Sequence, residues 1–272
     1  MTPTSRYVHG THPEEQRRLA DLNALINRAS LEALEPQPGE RALDVGSGLG
    51  QFALALARAT GTQVVAVERS PEQIARAVAL ASDEGEAANV DFRAGDALAL
   101  PLAADEWGRF DLAHARFLLE HVPSPQEVVN AMARAVRPGG RVVLEDDDHE
   151  ALRLWPEPPG VDTVWRAYMR TYDRLGNDPL VGRRLVQLLA EAGLAPRRMA
   201  LLPFGACSGD PAFPAYVNNL GAIFHGARDA IISTGGVSAA AFDDAQAALR
   251  AWGERGDAAF WYSLSWAEAV KP

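Results

Sequence analysis

The sequence predicts an α/β protein built on a doubly wound, mostly parallel, seven-stranded sheet, with a helical leader before it and helical cap insertions late in the chain. Three observations predict this. Between Arg41 and Leu144, short apolar β-branched runs alternate with helix-length amphipathic stretches, the pattern of strand–helix–strand units. A glycine-dense turn stands between the first such run and the first helix. A chain of 272 residues, 47% hydrophobic, is also long enough to bury a substantial core.

The elements follow in order. Pro13, Glu14 and Glu15 read as the first turn of a leader helix, where acids are favoured by the helix dipole. Leu19, Leu22, Ile26 and Ala29 give it one apolar face. The first strand runs from Arg41 into Asp44-Val45, the turn is Gly46-Ser47-Gly48-Leu49-Gly50, and Gln51–Arg58 starts a helix. The glycines leave room for backbone to pass close to a ligand. Gln63–Val67 is the second strand, ending in Glu68 and Arg69. An acid at that strand tip, about 20 residues beyond the glycine turn, suits a bidentate hold on two ribose hydroxyls. A helix over Pro71–Ser82 and a strand over Val90–Ala94 lead to Gly95-Asp96-Ala97. Phe110–Ala115 is the fourth strand, running into Arg116, and Val136–Leu144 is the turn and fifth strand. Trp155–Gly160 breaks the pattern, followed by a helix over Val161–Leu175 with Trp165, Tyr168, Met169 and Tyr172 on one face. Gly182–Gly193 is a further helix, Arg197–Phe204 the sixth strand and Ala259–Val270 the closing strand, with Pro211–Arg255 inserted between the last two.

A dinucleotide fingerprint, Gly-x-Gly-x-x-Gly, wants its third glycine where Gln51 stands, which disfavours a nicotinamide oxidoreductase. Asp-x-Gly-x-Gly-x-Gly instead resembles motif I of the class I S-adenosylmethionine (SAM) dependent methyltransferases, whose sheet is Rossmann-like. Singly, Asp44, Glu68 and Asp96 also fit ordinary turns and strand ends; five motifs in the family's order weigh more. The resemblance implies SAM as cofactor. Its contacts would come from Asp44, Gly46, Ser47, Gly48 and Gly50, from Glu68 and Arg69, from Gly95, Asp96 and Ala97, and from Ala115 and Arg116. Asp96 takes the place of the acid that receives the adenine amino group. Tyr7, His9 and Gly10, then Glu15, Arg18, Leu19 and Asp21, resemble the leader of the small-molecule, ubiquinone/menaquinone-biosynthesis-like branch (methyltransferase type 11/25). By that likeness Arg18 would neutralise the SAM carboxylate and Tyr7 line the methyl-transfer site; a solvated amphipathic helix is the alternative.

The organisation expected is a leader over the cofactor (1–35), a SAM-binding core (36–150), a cap insertion (151–180), a core helix and strand (181–210), a second cap insertion (211–256) and the closing strand (257–272). A formal charge of −10 argues against a nucleic-acid partner, because phosphate backbones reward clustered Lys and Arg. No apolar run is long enough for a bilayer and no apolar signal core opens the chain, so a cytoplasmic protein without a membrane partner is expected, as monomer or homodimer. The single Cys207 excludes an internal disulfide and offers no metal cluster.

Methyl transfer from a sulfonium is an in-line displacement in which the protein positions the nucleophile and excludes water. An oxygen or carbon nucleophile profits from a base within reach. Tyr7, His121, Asp146 and His149 are the candidates; for His121, a structural capping role is the more natural reading. The acidic run 146–148 is expected to be a solvated loop or a site for a cationic substrate. A metal is not expected, since Ala113-His114-Ala115 offers no carboxylate at the fourth strand. The function expected is transfer of the SAM methyl group to O, N or C of a small, partly apolar metabolite. A SAM-binding enzyme of the same fold running a cyclisation or decarboxylation, and a non-catalytic SAM-binding regulator, remain open at this point.

Overall fold

Strands β1 (Ala42–Val45), β2 (Val64–Glu68), β3 (Val90–Ala94), β4 (Phe110–Arg116) and β5 (Val136–Asp147) pair in parallel in the order β3–β2–β1–β4–β5. β1 is buried along its whole length, as a central parallel strand covered on both faces must be. The computed structural model describes residues 26–272. These fall into two compact units: residues 26–147, 180–202 and 264–272 make one, and residues 148–179 and 203–263 the other. The part of the expected leader helix from Pro13 to Leu25 lies outside the described residues.

In the first unit the sheet is completed by β8 (Ala259–Val270), antiparallel to β5 with Arg141 opposite Val270 and Asp147 opposite Leu264, and by β7 (Ala195–Cys207), which pairs with β8. One face packs Val128, Val129 and Met132 of α4 (Pro125–Ala135) and Leu185, Leu188 and Leu189 of α6 (Leu185–Glu191). The other packs a helix over 26–34 (α1) and α2 (Gln51–Thr60), through Leu34, Phe52, Leu54 and Leu56. Helices on both faces make the sheet doubly wound. Local chemistry sets the helix ends. Gly61, at φ 67°, returns its N–H to Ala57 O to close α2, and α3 (Pro71–Asp83) starts on Ser70, whose Oγ accepts from Gln73 N.

The second unit contains β6 (Arg153–Trp155), α5 (Val161–Asp173), α7 (Phe213–Gly226), α8 (Arg228–Ser233) and α9 (Ala239–Gly253). Its core is strongly aromatic: Trp165, Tyr168, Tyr172, Phe213, Tyr216, Phe224, Phe242, Trp252, Phe260 and Tyr262 are all buried. β7 and β8 run from one unit into the other.

All seven expected strands are present, and an eighth joins them. β6 pairs antiparallel with the start of β8, Leu154 facing Phe260, and only Leu154 of its three residues is buried. One buried residue is too little alternation to announce a strand. The expected helix over 182–193 is divided into a 3-10 turn, Val181–Arg184, and α6.

Candidate functional site

The order β2–β1–β4 places the switch in winding direction between β1 and β4, and open α/β sheets bind ligands outside the carboxyl ends of strands at that point. The glycine turn lies there. Gly46, Gly48 and Gly50 all adopt left-handed backbone, at φ 76°, 55° and 75°. The turn is also crowded from behind. A Cβ on Gly46 would stand 3.0 Å from Leu118 Cδ1, and one on Gly50 2.7 Å from the Phe92 ring. Gly46 N and Ser47 N donate to Val67 O, at 2.8 and 3.0 Å, which ties the turn to the tip of β2.

Glu68 completes that tip. Its Oε2 accepts from Gly48 N at 3.0 Å, and its Oε1 accepts from Arg69 N and Ser70 N at 2.8 Å each. Oε2 retains capacity for a further donor such as a hydroxyl. Gly95 N donates to Glu68 O, bringing the Gly95-Asp96-Ala97 turn alongside. Asp96 is exposed and accepts from Leu98 N at 2.9 Å, whereas Ala97 is buried. Ser47 Oγ and Gln51 Oε1 are buried at this turn without a hydrogen-bond partner among the described residues. Buried polar atoms left unpaired are rare in folded proteins. Together the turn offers acidic acceptors, close backbone and orphaned polar atoms, a combination suited to a hydroxyl-bearing, nucleoside-like ligand.

Asp44 is 3% exposed, and its Oδ1 lies 2.8 Å from Nδ1 of His114, its register neighbour on β4. Nε2 of His114 lies 3.3 Å from Glu145 Oε1. Glu145 Oε2 accepts from Ser30 Oγ at 2.5 Å; Ser30 Oγ accepts from Arg116 Nη1 at 3.1 Å, and Arg116 Nη2 donates to Asn27 Oδ1 at 2.6 Å. Arg116 also lies over the Phe52 ring, 4.7 Å from its centroid. Burial lowers the basicity of His114, but the bonds to Asp44 and Glu145 outweigh it and the net direction is upward. Burial likewise raises Glu145, and His114 together with Arg116 and Ser30 brings it below the usual carboxylate range. Arg116 is pushed down by burial against the pull of Glu145 and Asp44. His114, Glu145 and Ser30 were not among the site residues expected from the sequence. The available signal was a histidine inside an otherwise apolar central strand, where a buried polar group requires partners.

The acidic run after β5 is not a solvated loop. β8 pairs with β5 as far as Asp147, so Asp146 is a strand residue and 1% exposed. Its Oδ2 accepts from Leu118 N and Leu119 N, at 3.1 and 2.7 Å, and its Oδ1 from Asp147 N at 3.0 Å. Burial, then the neighbouring Glu120 and Asp147, push its pKa well above the ordinary value. Phe117, between β4 and these amides, takes φ 52°, an uncommon left-handed conformation for an aromatic residue. His121 is buried in the turn Leu119–His121, its Nε2 3.3 Å from Glu120 Oε1. Ala115 is buried beside Val45 of β1, and Arg69 is exposed.

In the second unit, His149 is 4% exposed and packs against the rings of Trp165, Tyr168 and Tyr172, at centroid distances of 5.0, 5.7 and 5.4 Å. Trp165 Nε1 donates to its carbonyl at 2.7 Å. Tyr7 and Arg18 lie outside the described residues. Within the first unit the structure therefore gathers Asp44, the three glycines, Ser47, Glu68, Arg69 and Gly95–Ala97 around one turn, with Ala115 and Arg116 on the adjoining strand.

A doubly wound α/β fold with a glycine turn and an acid at the tip of β2 defines a class of nucleoside-cofactor proteins. Residues 14–198 match the family model described as a methyltransferase domain, and the chain belongs to that family. Among curated relatives, the methyltransferase GfsG of Streptomyces halstedii is 34% identical over 54% of this chain and 51% of its own. The 27-O-demethylrifamycin SV methyltransferase of Amycolatopsis mediterranei is 31% identical over 57% of this chain and 54% of its own. The chain thus spans about half the length of these relatives. The fold is similar to that of geranyl diphosphate C-methyltransferase from Streptomyces coelicolor A3(2), solved with Mg2+, geranyl diphosphate and S-adenosyl-L-homocysteine. That likeness has a TM-score of 0.56 at 15% identity and covers 97% of this chain and 87% of the other. Among the described residues, no helix is long and apolar enough to cross a membrane.

Proposed function

We propose that this protein is a SAM-dependent methyltransferase acting at O, N or C of a small, partly apolar metabolite. The observation that carries the reading is the left-handed triple-glycine turn with the Glu68 carboxylate drawn onto Gly48 N at 3.0 Å. Family membership, and relatives named as methyltransferases of small molecules, support it. SAM, when bound, supplies a sulfonium-activated methyl group open to in-line displacement. Glu68 would hold the ribose hydroxyls, Asp96 the adenine amino group, and the turn from Gly46 to Gly50 would let backbone close on the remainder. Ser47 Oγ and Gln51 Oε1 would find there the partners they lack among the described residues. Asp146, consumed by three backbone amides, serves this reading as the anchor of the segment after β4 rather than as a base. The residues of the leader, Tyr7 and Arg18, remain part of the proposal, as do the expected domain boundaries.

The test is titration calorimetry with S-adenosylhomocysteine, with NADH in parallel, followed by a metabolite screen with methyl-labelled SAM. Binding of S-adenosylhomocysteine alone, with label appearing in a product, is expected. Binding of NADH instead overturns the cofactor. Turnover without transfer of label redirects the reading to a non-methylation reaction.

A further inference from the structure

The buried chain Asp44–His114–Glu145–Ser30–Arg116 is not explained by ligand contacts, and its geometry makes a specific demand. A carboxylate oxygen only accepts, and His114 meets one on each ring nitrogen, at 2.8 Å and 3.3 Å. A neutral imidazole has a single N–H, so one of the two contacts would set a ring lone pair against a carboxylate in a site where His114 is 1% exposed. With both carboxyls ionised, as the Arg116 charge and the Ser30 hydroxyl favour for Glu145, only the imidazolium satisfies both. Among these four residues the charges then balance, because Asp44 and Glu145 each carry one negative charge and His114 and Arg116 one positive.

From this geometry we propose that His114 is held as a buried imidazolium and is a positioning residue, fixing the Asp44 carboxylate behind the glycine turn. Through Glu145, Ser30 and Arg116, the same chain ties motif I to α1. The groups facing the imidazole are Asp44 from β1, Glu145 from β5 and the Phe52 ring of α2, 4.4 Å away; Ser30 of α1 and Arg116 of β4 act on it through Glu145. The net upward direction of the His114 pKa agrees with this arrangement. The grip on Asp44 and Glu145 is therefore complete below the free-imidazole midpoint and is lost as pH rises through the higher folded value. The link to ligand affinity rests on the cofactor assignment proposed above; the protonation state does not.

The first measurement is 15N NMR of the histidine rings in the full chain. The His114 ring is expected to remain protonated on both nitrogens at about pH 7.5, a unit above the ~6.5 midpoint of free imidazole. A neutral His114 ring at that pH overturns the proposal. The second is a double-mutant cycle, His114→Gln, Asp44→Asn and both together, read as the dissociation constant of S-adenosylhomocysteine at several pH values. Each single variant is expected to bind about tenfold more weakly and the double variant no worse than either, as for residues acting as one unit. The affinity of the unsubstituted protein should also fall on the alkaline side while that of His114→Gln stays flat. Additive losses, or unchanged affinity in His114→Gln, overturn the positioning role. Absence of binding by the unsubstituted protein would overturn the cofactor assignment and the positioning role with it, while the ring measurement would still decide the imidazolium.

Discussion

Gly50→Ala separates the two reasons a glycine is needed in the turn. At φ 75°, an alanine incurs the left-handed penalty of roughly 1–2 kcal/mol. Its Cβ would also stand 2.7 Å from Phe92 Cε1 and 2.9 Å from Ala77 Cβ. Ala77 is fully buried and its methyl is fixed to the backbone of α3, so the conflict resolves only by shifting α3 or the Phe92 ring. Overpacking of this kind costs about 1–3 kcal/mol. Gly61→Ala is the internal control, since Gly61 sits at φ 67° with nothing within 4 Å of where its Cβ would stand, and it should show the backbone penalty alone. Gly50→Ala is therefore expected to lose about 2 kcal/mol more than Gly61→Ala in urea denaturation. At about 2–4 °C per kcal/mol for a chain of this size, that is a further drop in Tm of roughly 4–8 °C. Equal losses in the two variants, within about 0.5 kcal/mol, would show that Phe92 and Ala77 do not confine the turn.

Three other outcomes are expected. Glu68→Gln leaves one oxygen to serve three backbone amides and removes the charge that strengthens those bonds. Affinity for S-adenosylhomocysteine should fall about tenfold or more, and an unaltered calorimetric dissociation constant would contradict the site. Glu106 is held down to about 2, from 4.5, chiefly by its hydrogen bond to Arg93, with burial opposing. Because the folded value is depressed, this contribution to stability is present above the unfolded value and is lost as pH falls toward the folded one. Glu106→Gln should thus flatten the loss of stability between about pH 5 and pH 2, as followed by chemical denaturation. Asn177 is 8% exposed, and neither atom of its amide has a hydrogen-bond partner among the described residues. Asn177→Leu, of similar volume, should leave stability unchanged or raise it by up to about 1 kcal/mol, since no side-chain bond is lost. A marked fall in Tm would show that the amide is satisfied after all.

Period and spacing exposed the strands of the sheet and the glycine turn. The central parallel strands β1 and β2 are buried on both faces and read as apolar runs, and the left-handed positions of the turn after β1 are all glycine, so both leave marks in neighbouring residues. Asp44, Glu68 and Asp96 were legible for the same reason: they stand at strand ends fixed by those runs. What the sequence could not show depends on residues far apart in the chain. Asp146 reads as part of an exposed acidic run, yet the pairing of β5 with β8, more than a hundred residues later, carries it inward and gives its oxygens to Leu118, Leu119 and Asp147. The Asp44–His114–Glu145 chain joins three strands and closes on Ser30, 115 residues from Glu145. Local sequence determined which elements form and where the turn must be glycine, because those choices are made by backbone sterics and by burial within a few residues. Only the tertiary structure decided which buried charges meet, because a buried charge persists only with a partner, and that partner is supplied by strand register rather than by proximity along the chain.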